Sequence, residues 1–167
     1  MTGVQTCALP ILDGTNGFKL KGFGWRDKLG YSVSTAGDVN GDGYADILIG
    51  APEFVDLADS NETDGPGKAY VVFGKSGNFG ASVDLESLDG TDGFVREGID
   101  EWGESGYSVS TAGDENGDGY GDMLIGTYGA DSGGDSFAGE TYFVYGRDFT
   151  GDSTLSGAST DDPLLDR

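Results

Sequence analysis

Two nine-residue segments bring oxygen-bearing side chains together at positions 1, 3, 5 and 9. They read DVNGDGYAD at 38–46 and DENGDGYGD at 114–122. Glycine at position 6 permits a sharp turn and position 7 offers its backbone carbonyl, as in loops that surround Ca²⁺ with roughly six to eight oxygens. The predicted ligands are Asp38, Asn40, Asp42, Tyr44 and Asp46 in the first loop, and Asp114, Asn116, Asp118, Tyr120 and Asp122 in the second.

Three carboxylates in so short a loop repel one another unless a cation lies between them. Mg²⁺ fits less well than Ca²⁺, because it prefers few protein ligands and retained waters. An EF-hand or a dockerin-like loop would need an acidic residue at position 12, where this chain has Ile49 and Ile125. The alternative is a pair of turns rich in Asp and Asn, whose acidic side chains are only solvated.

Both loops lie inside a longer repeat. The segment GYSVSTAGDVNGDGYADILIG at 30–50 recurs at 106–126 with 18 of 21 positions identical. The segment LDGTNGF at 12–18 recurs as LDGTDGF at 88–94, at the same offset of 76 residues. A fixed period of this size indicates a repeat architecture, in which neighbouring units bury one another's apolar faces. We place the two repeats at 12–87 and 88–147.

Each repeat is predicted to form three or four short strands. The first has strands at 31–35, 47–49 and 68–73, and a fourth supplied by 83–85 or by the region of Phe94 and Val95; the second has strands at 107–111, 123–125 and 141–145. The continuous apolar run at 47–49 is typical of a strand buried on both faces. Such strands in tandem with glycine-rich corners predict an all-β fold of β-propeller blades.

The residues GYSVSTAGDVNGDGYADILIGAP followed by GKAYVVFG, with the leading LDGTNGF and LDGTDGF, resemble the FG-GAP repeat of the integrin α-subunit β-propeller and its bacterial integrin-like relatives. The resemblance covers 12–147. It implies about two blades of a seven-bladed propeller, and Ca²⁺ held by the ten residues named above. It also implies a function in cell adhesion or ligand binding, with the remaining blades of the parent chain as partners. Gly126-Thr127-Tyr128 departs from Gly50-Ala51-Pro52, in a turn away from the ligands.

Composition excludes several classes of function. Thirty Asp and Glu against nine Lys and Arg give a net charge of −21, which argues against a nucleic-acid partner. The absence of His removes Ser-His-Asp and Cys-His nucleophiles and the usual catalytic zinc sites. No run of 18 apolar residues occurs, so we expect no membrane insertion. The resemblance implies a secreted protein located outside the cell or at its surface, with no catalytic residues and no cofactor besides Ca²⁺.

The two ends differ from the repeats. Residues 1–11, MTGVQTCALPI, match the in-frame translation of a common sequencing adapter, so we expect this stretch, with the single Cys7, to be foreign. A native signal sequence would then lie outside this fragment. Residues 148–167 are rich in Gly, Ser, Thr and Asp, and are interpreted as a tail or linker.

Any protein or glycan partner is predicted to bind the face opposite the calcium loops. Successive connections in antiparallel strands alternate between faces, and the loops joining strands two and three differ between repeats while the calcium loops barely change. Integrin-like propellers also use that face. The predicted contact residues are Trp25, Asp56, Asp59, Glu62, Trp102 and Asp131. Two alternatives of other classes are an accessory propeller of a secreted phospholipase D-like hydrolase and a structural spacer.

Overall fold

The described strands are short and form three separate sheets. The computed structural model describes residues 12–24, 26–53, 65–99 and 102–149, which contain one 3₁₀ turn at Leu85–Ser87 and no helix long and apolar enough to cross a membrane. The strands of these residues are β1 (Lys19–Lys21), β2 (Ser32–Gly37), β3 (Asp46–Ala51), β4 (Lys68–Val72), β5 (Ser82–Asp84), β6 (Gly93–Glu97), β7 (Ser105–Gly113), β8 (Asp122–Thr127) and β9 (Glu140–Val144).

Two of the sheets are propeller blades. Blade 1 is the antiparallel sheet β2-β3-β4-β6, and blade 2 is the antiparallel sheet β7-β8-β9. The registers agree between blades, since Ile47 pairs with Val72 as Met123 pairs with Val144. The predicted all-β fold and the predicted strands at the centre of each repeat are confirmed.

The fourth strand of blade 1 is the one that contains Phe94 and Val95. This strand, β6, pairs antiparallel with β4, so the sheet extends ten residues into the second sequence repeat. The other candidate, at 83–85, pairs elsewhere: β5 runs parallel to β1, with Leu20 opposite Val83. The sequence repeat and the sheet therefore begin and end at different residues.

The main core lies between the two blades. Its buried residues come from both sheets and include Leu48, Val71 and Phe94 of blade 1 with Met123 and Ile125 of blade 2. A second cluster covers the other side of blade 1. Because side chains alternate along a strand, Leu48 enters the first cluster and Ile49 the second. Strand β3 is thus buried on both faces, as its continuous apolar run predicted.

The blades approach closely at a pair of glycines. A Cβ atom on Gly50 would clash with the carbonyl oxygen of Gly106, to which the Ser32 hydroxyl donates a hydrogen bond of 2.8 Å. Only glycine permits this backbone contact. The contact therefore explains the glycine at position 50, one residue before the end of β3.

Candidate metal loops and the opposite face

The two candidate metal loops begin at irregularities in the strands. Each connects the first two strands of a blade, β2 to β3 or β7 to β8, and the register shifts at Gly37 and at Gly113. Both glycines have φ near +85° (84° and 85°), a conformation that side chains disfavour. The resulting β-bulges turn the chain out of the sheet and into the loop.

Loop 1 (38–46) is held by its own acidic side chains. The two carboxylate oxygens of Asp38 accept hydrogen bonds from the amides of Asp42 (3.0 Å) and Gly43 (2.9 Å). The amide of Asp42 also donates to the Asn40 side-chain oxygen, and the Asp42 carboxylate accepts from the amide of Tyr44 (2.8 Å). Three of the predicted ligands, at positions 1, 3 and 5, are thereby brought together over the loop backbone.

Loop 2 (114–122) repeats this arrangement. Asp114 accepts hydrogen bonds from the amides of Asp118 (3.1 Å) and Gly119 (3.0 Å), and Asp118 accepts from the amide of Tyr120 (2.9 Å). The Asn116 oxygen again accepts from the amide of Asp118, at 3.0 Å. The residues shared by the two loops therefore fix the loop conformation.

The acid at position 9 has different surroundings. Asp46 is buried, and its two oxygens accept hydrogen bonds from the amides of Val39 (2.8 Å) and Gly74 (2.7 Å). Asp122 is also buried and accepts from the amides of Glu115 (2.8 Å) and Gly146 (3.0 Å). This acid joins the start of the loop to the segment that follows the third strand, so its side chain is anchored at two points.

The electrostatics of loop 1 favour a bound cation. The pKa of the Asp46 carboxyl is raised to about 6, chiefly by burial and in smaller part by the negative charges of Asp42 and Asp38, against the opposing effect of its two amide donors. Each carboxylate oxygen has two lone pairs, so an oxygen that accepts one amide can still bind a metal ion. The oxygen-only donor set fits a hard cation such as Ca²⁺.

In the conformation described here, in which the loop carboxylates accept hydrogen bonds from backbone amides, the metal site is not fully formed. Among the described residues, no three Asp, Glu, His or Cys side chains converge on one point as metal ligands would. The Asp46 oxygens face backbone amides, and the Asn40 side-chain nitrogen donates to the Asp42 carboxylate at 2.9 Å. The structure thus places all ten predicted ligands in two equivalent loops and leaves their coordination as a prediction.

Loop 1 is also part of the contact between blades. The carbonyl of Asp38 accepts from the amide of Gly121 (2.7 Å), and the carbonyl of Val39 accepts from the amide of Arg147 (2.9 Å). The Val39 side chain is fully buried in the core between the blades, whereas Glu115 is exposed at the same position of loop 2. Sequence reasoning missed this role; the available signal was an apolar residue among acids, in one loop only.

Aromatic side chains form a row at the other end of the blades. The rings of Tyr31 and Tyr107 lie 5.2 Å apart between centroids, and those of Tyr107 and Tyr128 lie 5.0 Å apart. These tyrosines occur where the first strands begin or the second strand ends, which is the end opposite the metal loops. An open cavity of about 420 Å³ adjoins Tyr107, Tyr128 and Phe137.

The structure describes two of the six predicted partner-binding residues, Trp102 and Asp131. Trp102 is exposed beside this row, and Asp131 accepts a hydrogen bond from the amide of Phe137 at 2.9 Å. Trp25, Asp56, Asp59 and Glu62 lie outside the described residues. Sequence reasoning missed the contact between Tyr31 and Tyr107 across the blades.

Comparison with known proteins agrees with this architecture. Residues 29–72 match the FG-GAP repeat family. The chain is 34% identical over 111 residues to integrin alpha-PS2 of Drosophila melanogaster, covering 66% of this chain and 7% of that protein. It is 34% identical over 119 residues to integrin alpha-5 of Xenopus laevis, covering 70% of this chain and 10% of that protein, so it spans a tenth or less of both relatives. The chain contains FG-GAP β-propeller blades and belongs with the integrin α-like proteins.

Proposed function

We propose that this chain is a non-catalytic, calcium-stabilised part of an extracellular β-propeller that acts in adhesion or ligand binding. The observation that carries the calcium proposal is the duplicated loop geometry, with matched oxygen donors at the same corner of adjacent blades. Ca²⁺ would be held by the residues at positions 1, 3, 5, 7 and 9 of each loop, which are Asp38, Asn40, Asp42, Tyr44 and Asp46, and Asp114, Asn116, Asp118, Tyr120 and Asp122.

The proposed metal ion has a structural role. Bound Ca²⁺ would supply positive charge among the carboxylates that now repel one another. In loop 1 the bound ion would hold in position the backbone carbonyls of Asp38 and Val39, which accept hydrogen bonds from blade 2. Calcium would therefore fix the loop and also the contact between the blades.

The aromatic row supports a ligand on the opposite face. Tyr31 and Tyr128 are exposed and stacked in line with Tyr107, with Phe137 exposed nearby. Aromatic side chains provide large contact area at interfaces and lose little conformational entropy on binding. We infer a protein or glycan ligand here, and we expect the remaining blades of a parent chain to flank the two described blades.

The calcium proposal predicts a stability that depends on the metal. Ca²⁺ at tenfold excess over a site's dissociation constant should stabilise the fold by about 1.4 kcal/mol per site, because it binds the folded loop and not the unfolded chain. Thermal unfolding of the chain in Ca²⁺, in Mg²⁺ and in chelator measures this effect. A higher midpoint in Ca²⁺ than in the other two conditions is expected. An identical midpoint in all three would contradict the metal assignment.

A further inference from the structure

One peptide group lies between the two metal loops. The amide of Gly121, in loop 2, donates a hydrogen bond of 2.7 Å to the carbonyl of Asp38, the first predicted ligand of loop 1. The carbonyl of the same peptide group belongs to Tyr120, the predicted backbone ligand of loop 2. Because N–H and C=O point in opposite directions across a trans peptide, the Tyr120 carbonyl is directed away from loop 1.

The glycine at position 121 permits this close approach. A Cβ atom there would lie 3.0 Å from both the carbonyl oxygen of Ala36 and the amide nitrogen of Asp38, which is closer than ordinary van der Waals contact. Ala45, at the same position of loop 1, is exposed. Position 8 is one of the positions at which the two loops differ, and the smaller residue occurs in the loop that touches its neighbour there.

The Tyr120 side chain makes a second contact between the loops. Its ring lies against Gly41, in the middle of loop 1, where a Cβ atom would be 2.6 Å from the ring carbon Cε1. At Gly117, the counterpart of Gly41 in loop 2, such an atom would have nothing within 4 Å. Gly41 lies between the predicted ligands Asn40 and Asp42. The ring therefore packs on the backbone that carries these two ligands.

Predicted ligands of loop 2 hold the bridging peptide group on both sides. The amide of Tyr120 donates to the Asp118 carboxylate at 2.9 Å. The residue after Gly121 is Asp122, whose carboxylate accepts from the amide of Gly146 at 3.0 Å. Calcium on the Tyr120 carbonyl would polarise this peptide group, and polarised peptide groups donate stronger hydrogen bonds. A change at the metal site of loop 2 is thereby passed to the hydrogen bond that loop 1 accepts.

We propose that the two calcium loops are coupled, so that Ca²⁺ in either loop raises the affinity of the other loop for Ca²⁺. The coupling passes through the peptide group between Tyr120 and Gly121 and through the contact of the Tyr120 ring with Gly41. The inference rests on the proposed function, because it needs Ca²⁺ in both loops. It uses contacts inside the described chain, and further blades on either side would leave these contacts in place.

Charge alone predicts the opposite sign of coupling. Each loop has three predicted carboxylate ligands, and a Ca²⁺ ion in one loop repels a second ion in the other. Repulsion makes the second ion bind more weakly, and salt at about 0.15 M reduces this effect because it screens charges over about 8 Å. Tighter binding of the second ion therefore indicates the direct contacts between the loops and not a diffuse electrostatic field.

Titration of the full chain with Ca²⁺, followed by amide NMR, resolves the two loops. The amides of Gly43 and Gly119 report one loop each, because each donates to the first ligand of its own loop, at 2.9 and 3.0 Å. A joint fit of the two curves gives the affinity of each loop with the other empty and loaded. The loaded value should be about fivefold higher, at the lower end of typical coupling between sites. Asp118→Asn, which weakens loop 2, should leave loop 1 with its lower affinity, and Asp42→Asn should affect loop 2 by the same factor, because coupling is reciprocal.

The Tyr120 ring offers a test that changes no predicted ligand atom. Tyr120→Ala keeps the backbone carbonyl but removes the ring from Gly41, so the coupling should fall to about twofold or less. Tyr120→Phe keeps the ring and should keep the fivefold value. The matched control is Tyr44→Ala, the same change at the same position of loop 1, where the ring is exposed; it should leave the coupling unchanged. Amide spectra in chelator establish that each variant is folded.

The outcomes separate the coupling from the calcium proposal itself. Saturating shifts in both loops with the same affinities in the empty and loaded states would contradict the coupling and leave the calcium assignment intact. So would tighter binding at loop 1 in Asp118→Asn, which is the result that charge alone predicts. A coupling that Tyr120→Ala and Tyr44→Ala reduce equally would overturn the path through the Tyr120 ring. No shift of either amide with Ca²⁺ would overturn both proposals.

Discussion

Within each loop, the acid at position 9 has a different role from the acids at positions 1 and 5. Asp38 and Asp42 accept hydrogen bonds from amides of their own loop. Asp46 is buried and binds the amides of Val39 and Gly74, the second of which is 28 residues away. We therefore expect Asp42 to serve mainly the cation, and Asp46 to serve both the cation and the fold.

Substitution by asparagine separates these two roles. Asp42→Asn should weaken calcium binding and change stability little in chelator. Asp46→Asn should cost about 1–3 kcal/mol even in chelator, because its side-chain NH₂ faces a buried amide that loses its acceptor. Urea unfolding with and without Ca²⁺ measures both effects, with Glu86→Gln as an exposed control. Equal losses for the two aspartate variants in chelator would contradict the anchoring role of Asp46.

At the scale of strands, local sequence patterns predicted where strands form but not which strands pair. The apolar runs at 47–49 and 69–73 favour strands on their own, so β3 and β4 were predictable. The choice between β5 and β6 as fourth strand depends on which one lies beside β4, and no local pattern records that. The ligand positions followed from spacing alone. The bonds from Gly74 to Asp46 and from Gly121 to Asp38 connect residues far apart in sequence and required the structure.

Gly50 in β3 offers a test of the inter-blade contact. Gly50→Ala should destabilise the chain by about 2 kcal/mol or more, because its methyl group would clash with the rigid backbone of Gly106. Gly126→Ala is the matched control, because it would meet only the movable side chain and neighbouring backbone of Ser108. Unfolding by urea at low protein concentration compares them. A larger loss for Gly126→Ala would mean that the glycine serves its own hairpin and not the contact between blades.

At the scale of the whole molecule, loop 1 connects the two blades. Its carbonyls at Asp38 and Val39 accept amides from blade 2, and Val39 fills the core between the blades. In the described residues, loop 2 has no such neighbour, and Glu115 replaces the valine. A cation in loop 1 would thus influence both blades, whereas one in loop 2 would act on blade 1 only through its contact with loop 1.

Exchanging the residue types at Val39 of loop 1 and Glu115 of loop 2 tests whether the blades unfold together. Val39→Glu buries a carboxylate in the core between the blades, which should cost about 3 kcal/mol or more and lower the melting midpoint by about 10 °C for a chain of this size. Glu115→Val, the reciprocal change at an exposed site, should lower it little or not at all. Calorimetry at low protein concentration should show one transition for the unmodified chain. An equal midpoint for Val39→Glu would mean that the blades are independent units, because a buried valine that joins them cannot become charged without loss of stability.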